Sequence, residues 1–205
     1  MYVLTVDQRG SRRSGDRVVA LLDLLAELPT RAPLRPVERT VGDEVQALFD
    51  DAEAVVAVAL ELLRLGEWSV GIGVGLVDEP LPESVRAATG QAFVHARTAV
   101  ESAKSRRRPV PLAVVADDTV AAADAEAVLA LIASVRERRS PAGWEVVEAV
   151  EAGETQDAVA ERLGITQQAV SQRLRAAQSA EERAARPAAV RLLRRVGADG
   201  QDDEP

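Results

Sequence analysis

The chain contains no cysteine, only one histidine and only one lysine, and each scarcity excludes a class of site. Without cysteine, neither disulfide bonds nor thiolate metal ligands can form. A histidine-based catalytic triad would have to be built around His95. Aromatic residues make up 2% of the chain and apolar residues 47%, so the core must consist mainly of alanine, valine and leucine.

Long apolar segments are also missing from the sequence. No run of about 18 apolar residues is present, so no transmembrane helix is expected. The first residues, MYVLTVDQRGSRR, lack the apolar region of a signal peptide. We therefore expect a cytoplasmic protein without membrane contacts, folded as one or two domains.

The formal net charge of -8 is unevenly distributed along the chain. Residues 197–205 carry four acidic side chains and no basic one, and we expect them to form a disordered acidic tail. From residue 166 to 196, seven arginines stand against only Glu181 and Glu182. Because attraction to phosphate is screened over about 8 Å at physiological salt, local charge matters more than net charge. The C-terminal helical part is therefore suited to binding a polyanion.

Hydrophobic periodicity and turn residues predict an α+β protein. Over residues 1–116, strands and helices alternate in the order βα–ββ–αβ–αβ, with a hairpin turn at Gly42 and Asp43. This order describes a ferredoxin-like α/β sandwich with a mixed sheet. A helix over 117–140 is predicted to connect this domain to an all-α domain at 141–196.

The segment QDAVAERLGITQQAVSQRL, at 156–174, has the spacing of a helix-turn-helix. Ala160 is small where the two helices cross, and Gly164 supplies a turn conformation that a Cβ opposes. Thr166 is suited to cap the second helix. The inner faces are expected to bury five apolar residues: Val159, Leu163, Ile165, Val170 and Leu174. The segment resembles the helix-turn-helix of phage repressors and of sigma-factor region four.

The second helix, at 166–177, is expected to enter the major groove with its N-terminal side chains on base edges. Glutamine can bond adenine N6 and N7 together, so this helix suits A·T-containing sites. Thr155, Gln156 and Arg173 are candidate phosphate contacts. The complete set of predicted DNA-binding residues is Thr155, Gln156, Thr166, Gln167, Gln168, Ser171, Gln172, Arg173 and Arg175. A plain helical hairpin with exposed polar residues is the alternative.

A single helix-turn-helix makes few base contacts, so specificity normally requires a dimer on two half-sites. We therefore expect a homodimer on double-stranded DNA, acting as a transcriptional regulator and nucleoid-associated when bound. A module that docks a partner such as RNA polymerase is the other interpretation of the same helices. Arg191, Arg194 and Arg195 are candidates for flanking phosphates, for a solvated basic surface or for a dimerisation helix.

For two residues of the C-terminal part, we expect a purely structural role. Trp144, in the helix before the motif, is expected to fill the core beneath it. Pro187 is expected to break or kink the helix that follows the motif, because proline removes a backbone hydrogen bond.

Two acidic turns stand out in the N-terminal part. Asp7 ends the first strand before the turn at 8–11, and Asp43 lies with Glu44 at the hairpin. If the first strand lies beside the hairpin, Asp7 and Asp43 converge and can bridge Mg²⁺ ions, while backbone N–H groups of the first turn hold phosphates. Aspartate next to glycine is also an ordinary turn former, so a structural interpretation stays open.

Four segments carry a resemblance to a known family: VDQRGSR, VGDEVQALF, GIGVG and GQAFVHARTAVESAK. In this order and spacing they resemble the SatD family of bacterial proteins, over most of residues 1–115, and that family also ends in a helix-turn-helix. More remotely, DQRGS and GDE are similar to the metal-binding turns of class III nucleotide cyclases and diguanylate cyclases. The resemblance implies a palm- or cyclase-like fold for this domain. It also implies a nucleotide and Mg²⁺ at Asp7, Arg9, Gly10, Ser11, Asp43, Glu44 and Arg97.

The chain departs from the cyclase pattern at two places. Thr40 and Val41 stand where the diguanylate-type signature has glycine before GDE. Cyclases use an asparagine followed four residues later by an arginine to orient the ribose and stabilise phosphoryl transfer. Arg97 matches this arginine, but Phe93 stands at the asparagine position and cannot hydrogen-bond. Because a fold can persist after its chemistry is lost, we expect a sensor or dimerisation domain rather than an enzyme. The alternative is a metal-dependent nucleotidyl cyclase-like enzyme with a DNA- or partner-targeting module.

Overall fold

The computed structural model describes residues 1–11, 15–28, 30 and 32–198. It has mixed α+β structure, as predicted, with a five-stranded sheet. The strands are β1 (Tyr2–Gln8), β2 (Glu38–Arg39), β3 (Glu44–Phe49), β4 (Trp68–Val74) and β5 (Leu112–Val115). The helices are α1 (Val18–Glu27), α2 (Ala52–Leu65), α3 (Gln91–Ala103), α4 (Thr119–Glu137), α5 (Pro141–Glu151), α6 (Gln156–Leu163), α7 (Gln167–Ala176) and α8 (Ser179–Ala198).

The sheet has the strand order β2-β3-β1-β4-β5. All neighbouring pairs are antiparallel except β4 and β5, which run parallel. Gly42 adopts a φ of 62° between β2 and β3, so the predicted hairpin is confirmed. In the register of β1 and β3, Asp7 lies opposite Glu44. The end of the first strand therefore does lie beside the hairpin.

Helix α3 covers one face of the sheet at very short range. Its residues Ala92, Phe93 and Ala96 form an apolar cluster with strand residues Val3 and Leu48. The glycines of β4 make this approach possible, because a Cβ built on Gly73 would lie 2.1 Å from the Ala96 nitrogen. Glycine in this strand therefore allows the helix backbone to approach closely.

The other face of the sheet packs against α1, α2, α4 and α8 in a single apolar cluster. Leu129 of α4 and Leu193 of α8 are completely buried in it. Residues on both sides of the predicted boundaries at 116 and 140 therefore contribute to one core. No described helix is long and apolar enough to cross a bilayer.

Helices α5, α6 and α7 form a second, smaller core. Val159 and Val170 are its fully buried members among the predicted inner-face residues. Leu163, Ile165 and Leu174 are partly buried and pack against it, so the predicted inner face is confirmed. Local backbone chemistry fixes the segment, since Gly164 ends α6 in the left-handed conformation with a φ of 64°.

One structural expectation for the C-terminal part is wrong. Trp144 does not belong to the small core, because its half-buried ring lies under arginine side chains from α2, from α4 and from the segment after α4. Helix α8 continues through Pro187, so the helix is not broken there. The acidic tail predicted at 197–205 begins as the last turn of α8, and residues 199–205 lie outside the described residues.

Candidate functional site

The exposed surface of α7 presents a row of polar side chains, three of which are amides. We call this row the glutamine face: Gln167, Gln168, Ser171, Gln172 and Arg175. All of these residues are exposed except Ser171, which is half-buried. The opposite side of the helix is anchored by Val170, which has no exposed surface. At its start, the Thr166 hydroxyl oxygen accepts a hydrogen bond from the Ala169 N–H at 3.1 Å. The helix is therefore capped as predicted, and its polar side chains face solvent.

The first turns of α6 and α7 lie next to each other. The Gln167 side-chain amide donates to the Gln156 amide oxygen at 3.5 Å, across the turn that separates the two helices. The Thr155 hydroxyl oxygen accepts from the Ala158 N–H at 3.2 Å, and so caps α6. The structure thus brings three predicted DNA-contacting residues, Thr155, Gln156 and Gln167, to one place.

The two predicted arginines differ in their surroundings. The Arg173 guanidinium lies 3.5 Å from the Glu145 carboxylate of α5 and is half-buried. The Arg175 guanidinium is exposed and bonds only its own helix, donating to the Ser171 carbonyl oxygen at 3.3 Å. Arg175 is therefore more available to a phosphate than Arg173, whose charge is partly neutralised by Glu145.

A buried ion network fixes the C-terminal end of α7. The Arg139 guanidinium donates to the Ala177 carbonyl oxygen at 2.9 Å from Nη2 and 3.1 Å from Nε. Glu182 of α8 accepts from Arg139 at 2.5 Å and from Arg136 at 2.8 Å. Arg136 continues the network to Glu61 of α2 at 3.0 Å. Four helices are therefore tied together at the point where α7 ends.

Burial and the neighbouring arginines shift the pKa of the Glu182 carboxyl in opposite directions. Burial alone raises the pKa of Glu182, but the hydrogen bonds and charges of Arg136, Arg139 and Arg186 outweigh it and lower the pKa to about 2. Glu182 therefore carries its charge throughout the neutral and mildly acidic range. Breaking one partner of such a buried pair leaves the other charge uncompensated.

Trp144 of α5 is surrounded by Arg136 and Arg139 of this network and by Arg64 of α2. The guanidinium carbons of Arg64, Arg139 and Arg136 lie 4.0, 4.3 and 4.8 Å from the centre of its indole ring. Such cation–π contacts hold a planar side chain and exclude water from its faces. The contact with Arg64 joins the small helical core to α2. Sequence reasoning missed this cluster, because Arg64 is far from the others in the chain.

Asp7 is paired with the only lysine of the protein. The Lys104 ammonium at the end of α3 lies 2.9 Å from the Asp7 carboxylate and 2.7 Å from Glu101. Burial raises the pKa of Asp7, and the charges of Asp43 and Glu44 add to this effect, whereas Lys104 opposes it. The predicted convergence of Asp7 with the hairpin acids does occur, but a cation from the protein lies among them.

The residues predicted to hold phosphates and metal make contacts within the protein instead. The Arg9 N–H donates to the Glu67 carbonyl oxygen at 2.7 Å, so it is not directed at a ligand. Gly10 turns the chain with a φ of 73°, and Ser11 follows it. Within the part of the chain that the structure describes, no three His, Asp or Glu side chains are arranged to hold a metal ion.

A cavity of about 570 Å³ opens beside α3, between this helix and the β2–β3 hairpin. We call it the sheet cleft; its polar lining consists of Thr40, Glu44, Gln46, Arg86, Thr89, Arg97 and Glu101. Phe93 lies among these residues and gives the cleft an apolar wall. The guanidiniums of Arg86 and Arg97 form no hydrogen bond or ion pair with a described residue. Of the predicted nucleotide-binding residues, Glu44 and Arg97 share this cleft.

The chain matches no protein-family model, no curated protein and no solved structure.

Proposed function

We propose that the protein is a sequence-specific DNA-binding regulator related to the SatD family, which reads the major groove with α7. The observation that carries this proposal is the glutamine face, where the amides of Gln167, Gln168 and Gln172 are exposed on one short helix. An exposed amide can form two hydrogen bonds with the edge of adenine in the major groove. A helix of this diameter fits that groove.

The attachment of α7 to the rest of the molecule supports the same function. Direct readout requires side chains that are held in a fixed position before binding, because a loose helix loses conformational entropy on the DNA. The cap at Thr166 fixes the beginning of α7, and the bonds from Arg139 to Ala177 fix its end. The pairing of α6 with α7 around Gly164 supports a helix-turn-helix arrangement.

The N-terminal part is proposed to be a ferredoxin-like, palm-type sensor domain. The connectivity of β1 to β4, with β1 between β3 and β4 and a hairpin at one edge, supports this assignment. The sheet cleft supplies the site of an effector. The guanidiniums of Arg86 and Arg97 form no ion pair with a described residue and can bind an anionic group, such as a phosphate of a nucleotide. The carboxylates of Glu44 and Glu101 line the same cleft and can accept hydrogen bonds from the uncharged part of that ligand.

The cyclase-like enzyme is the weaker candidate on the same geometry. Metal-assisted phosphoryl transfer needs carboxylates that are free to bind the ions. Asp7 instead bonds Lys104 at 2.9 Å, and Phe93 lines the cleft where cyclases use an asparagine.

The deciding experiment is the selection of bound fragments from a pool of genomic DNA by the full chain. The comparison is a variant carrying Gln167→Ala and Gln172→Ala, with Thr98→Ala as a control, because Thr98 is exposed on α3 and its hydroxyl bonds only its own helix. We expect the protein and the control to enrich a two-fold symmetric sequence that the double variant fails to enrich.

Equal enrichment by the double variant, or no sequence preference in the unaltered protein, would overturn the proposal. In the second case the helices of 141–196 would be a docking module for a protein partner. Both glutamines are exposed and neither belongs to the small core, so the substitutions should leave α7 folded. Circular dichroism of each variant checks this expectation.

A further inference from the structure

A small pocket opens where α7 meets α8, next to the glutamine face. Its volume is about 250 Å³, and we call it the junction pocket. Ser171 and Arg175 belong both to the glutamine face and to the lining of this pocket, and Gln156 of α6 lines it as well. The junction pocket therefore adjoins the side chains that are proposed to read base edges.

The beginning of α8 forms another wall of the junction pocket. Gln178 turns the chain with a φ of 51°, and Ser179, Ala180 and Glu181 after it line the pocket. The first N–H groups of an α-helix have no partner inside the helix, so the start of a helix favours an anion. This wall alone does not define a site, but it shows which sign of charge the backbone favours there.

Ser179 is buried and lacks a hydrogen-bond partner. The residue is 6% exposed, and its hydroxyl forms no hydrogen bond with a described residue. Among the described residues, the fully enclosed side-chain polar atoms without a partner are Arg136 Nε and Arg139 Nη1. The Ser179 oxygen is not one of them, so it remains accessible from the junction pocket that the residue lines. Because buried polar groups normally find a partner, we expect this hydroxyl to bond a ligand in the pocket.

The charged lining of the junction pocket consists of two guanidiniums, from Arg175 and Arg183, and one carboxylate, from Glu181. Two positive charges and one negative charge give the lining a net charge of +1. Arg183 is exposed and forms no hydrogen bond or ion pair with a described residue. Arg175 uses only its Nε atom within the protein, so both of its Nη atoms can donate to a ligand. Guanidinium groups donate pairs of hydrogen bonds to the oxygens of a phosphate.

We propose that the junction pocket binds one phosphate of the DNA backbone, held by Arg175, Arg183 and the Ser179 hydroxyl. This inference rests on the proposed function, because it places the phosphate beside the bases that the glutamine face reads. Phosphate contacts position a protein on the duplex without specifying its sequence. The junction pocket therefore sets the position of α7 in the major groove.

Ser179→Ala separates DNA binding from folding. Loss of one hydrogen bond to a charged group should weaken the binding of a duplex of scrambled sequence roughly tenfold. The melting temperature should not fall, because this hydroxyl has no partner in the free protein. Fluorescence anisotropy and thermal unfolding of the full chain measure the two quantities.

Ser140→Ala is the matched control for Ser179→Ala. The Ser140 hydroxyl oxygen accepts a hydrogen bond from the Gly143 N–H at 3.1 Å and so caps α5, outside the junction pocket. This variant should have a lower melting temperature and unchanged affinity for DNA. If Ser179→Ala instead lowers the melting temperature and leaves the affinity unchanged, its hydroxyl has a structural role and the proposal is overturned.

The two arginines should act on a single phosphate. Each neutralised phosphate contributes about 0.9 to the slope of log affinity against log salt concentration. The double variant Arg175→Gln and Arg183→Gln should therefore lose about 0.9 of this slope. An unchanged slope, or a loss of twice that size, overturns the proposal, because the second result means two separate phosphates.

Single charge changes test the remaining lining. Arg183→Gln should weaken the binding of the scrambled duplex several-fold, and Glu181→Gln should strengthen it, because its carboxylate repels the phosphate. Arg106→Gln is the control for net charge, since Arg106 is exposed in the loop after α3 and forms no ion pair with a described residue. Equal losses for Arg183→Gln and Arg106→Gln would contradict a phosphate in the junction pocket.

Inorganic phosphate distinguishes the DNA backbone from a small phosphorylated ligand. A pocket that serves a small ligand would give a phosphate-dependent rise in melting temperature that Ser179→Ala abolishes. If this rise occurs while the affinity of Ser179→Ala for DNA is unchanged, the DNA backbone is not the ligand and the proposal is overturned.

The two proposals fail in distinguishable ways. If no DNA sequence is enriched but Ser179→Ala and Arg183→Gln weaken the binding of the scrambled duplex, the junction pocket stands and the reading of sequence is wrong. If a sequence is enriched while these variants bind it like their controls, the glutamine face stands and the junction pocket is not a phosphate site.

Discussion

The Arg139 guanidinium lies 2.5 Å from the Glu182 carboxylate and also donates to the Ala177 carbonyl oxygen at 2.9 Å. Through this one side chain, the segment between α4 and α5 holds both the end of α7 and the beginning of α8. The position of the proposed reading helix therefore depends on a buried ion pair rather than on apolar packing alone. Changes to the network should consequently affect stability and DNA binding together.

Glu182→Gln should destabilise the protein strongly. The amide leaves the charges of Arg136 and Arg139 without their buried counterion, and breaking such a pair typically costs about 3–5 kcal/mol. Urea unfolding measures the change. The adjacent Glu181→Gln is the control, because Glu181 is exposed and its loss should change the free energy of unfolding by less than about 0.5 kcal/mol. Equal effects of the two substitutions would contradict the role of the network.

The same residue predicts an acid dependence of stability. The pKa of Glu182 is about 2 in the folded protein against 4.5 as its ordinary value, so the unfolded chain binds the proton more tightly. The stabilisation is present above pH 4.5 and is lost as the pH falls from about 4.5 to about 2. Its size is on the order of 3 kcal/mol.

Urea unfolding at a series of pH values from 6 to 3 tests this linkage. The free energy of unfolding should fall more steeply for the unaltered protein than for Glu182→Gln, which has no carboxyl to protonate at this position. Parallel curves for the two proteins would show that Glu182 does not titrate as described. Other acidic residues contribute equally to both curves and cancel in the comparison.

Gly73→Ala should prevent normal packing of α3 on the sheet. The added Cβ would lie 2.1 Å from the Ala96 nitrogen and 2.2 Å from the Ala92 carbonyl oxygen, and neither backbone atom can move without shifting the helix. Gly75→Ala is the control, because its nearest atom, the Ala92 nitrogen, is 3.2 Å away. We expect a loss of several kcal/mol for Gly73→Ala and a much smaller loss for the control, measured by thermal unfolding. Similar melting temperatures would refute the close approach.

Glu145→Gln should strengthen DNA binding at all sequences. Glu145 lies 3.5 Å from Arg173, and its removal frees that guanidinium for a phosphate and removes a negative charge near the reading helix. Because phosphate contacts carry no sequence information, affinity should rise several-fold for specific and nonspecific DNA alike, with a steeper dependence on salt. Fluorescence anisotropy at several salt concentrations gives both quantities.

Glu137→Gln is the control for Glu145→Gln, since it removes the same charge from an exposed position at the end of α4. An equal gain in affinity for both variants would mean that net charge alone is responsible. No gain for Glu145→Gln would show that Arg173 does not reach a phosphate.

Local signals made the C-terminal helices predictable from the sequence. Thr155, Gly164 and Thr166 act on backbone groups within a few residues of themselves, so their spacing alone placed the ends of α6 and α7. The order of strands and helices was predictable for the same reason. The turn at Gly42 and the cap at Asp51 are equally local.

Long-range pairings were not predictable. The contact of Asp7 with Lys104 depends on where the end of α3 lies relative to β1, and no periodicity in the sequence encodes that position. Trp144 was predicted to lie in the small core, because a large aromatic side chain normally seeks apolar neighbours. The guanidinium of Arg64, contributed by α2, lies 4.0 Å from the ring centre instead.

The fluorescence of the two tryptophans reports on two different parts of the molecule. Trp68 is buried in the core of the sheet, whereas Trp144 lies half-buried between α2, α4 and α5. A red shift of emission from Trp144 alone, with Trp68 unchanged, would reveal α5, α6 and α7 separating from a sheet that is still folded. Replacement of either tryptophan by phenylalanine isolates the other signal, so detachment and unfolding can be followed separately in one titration.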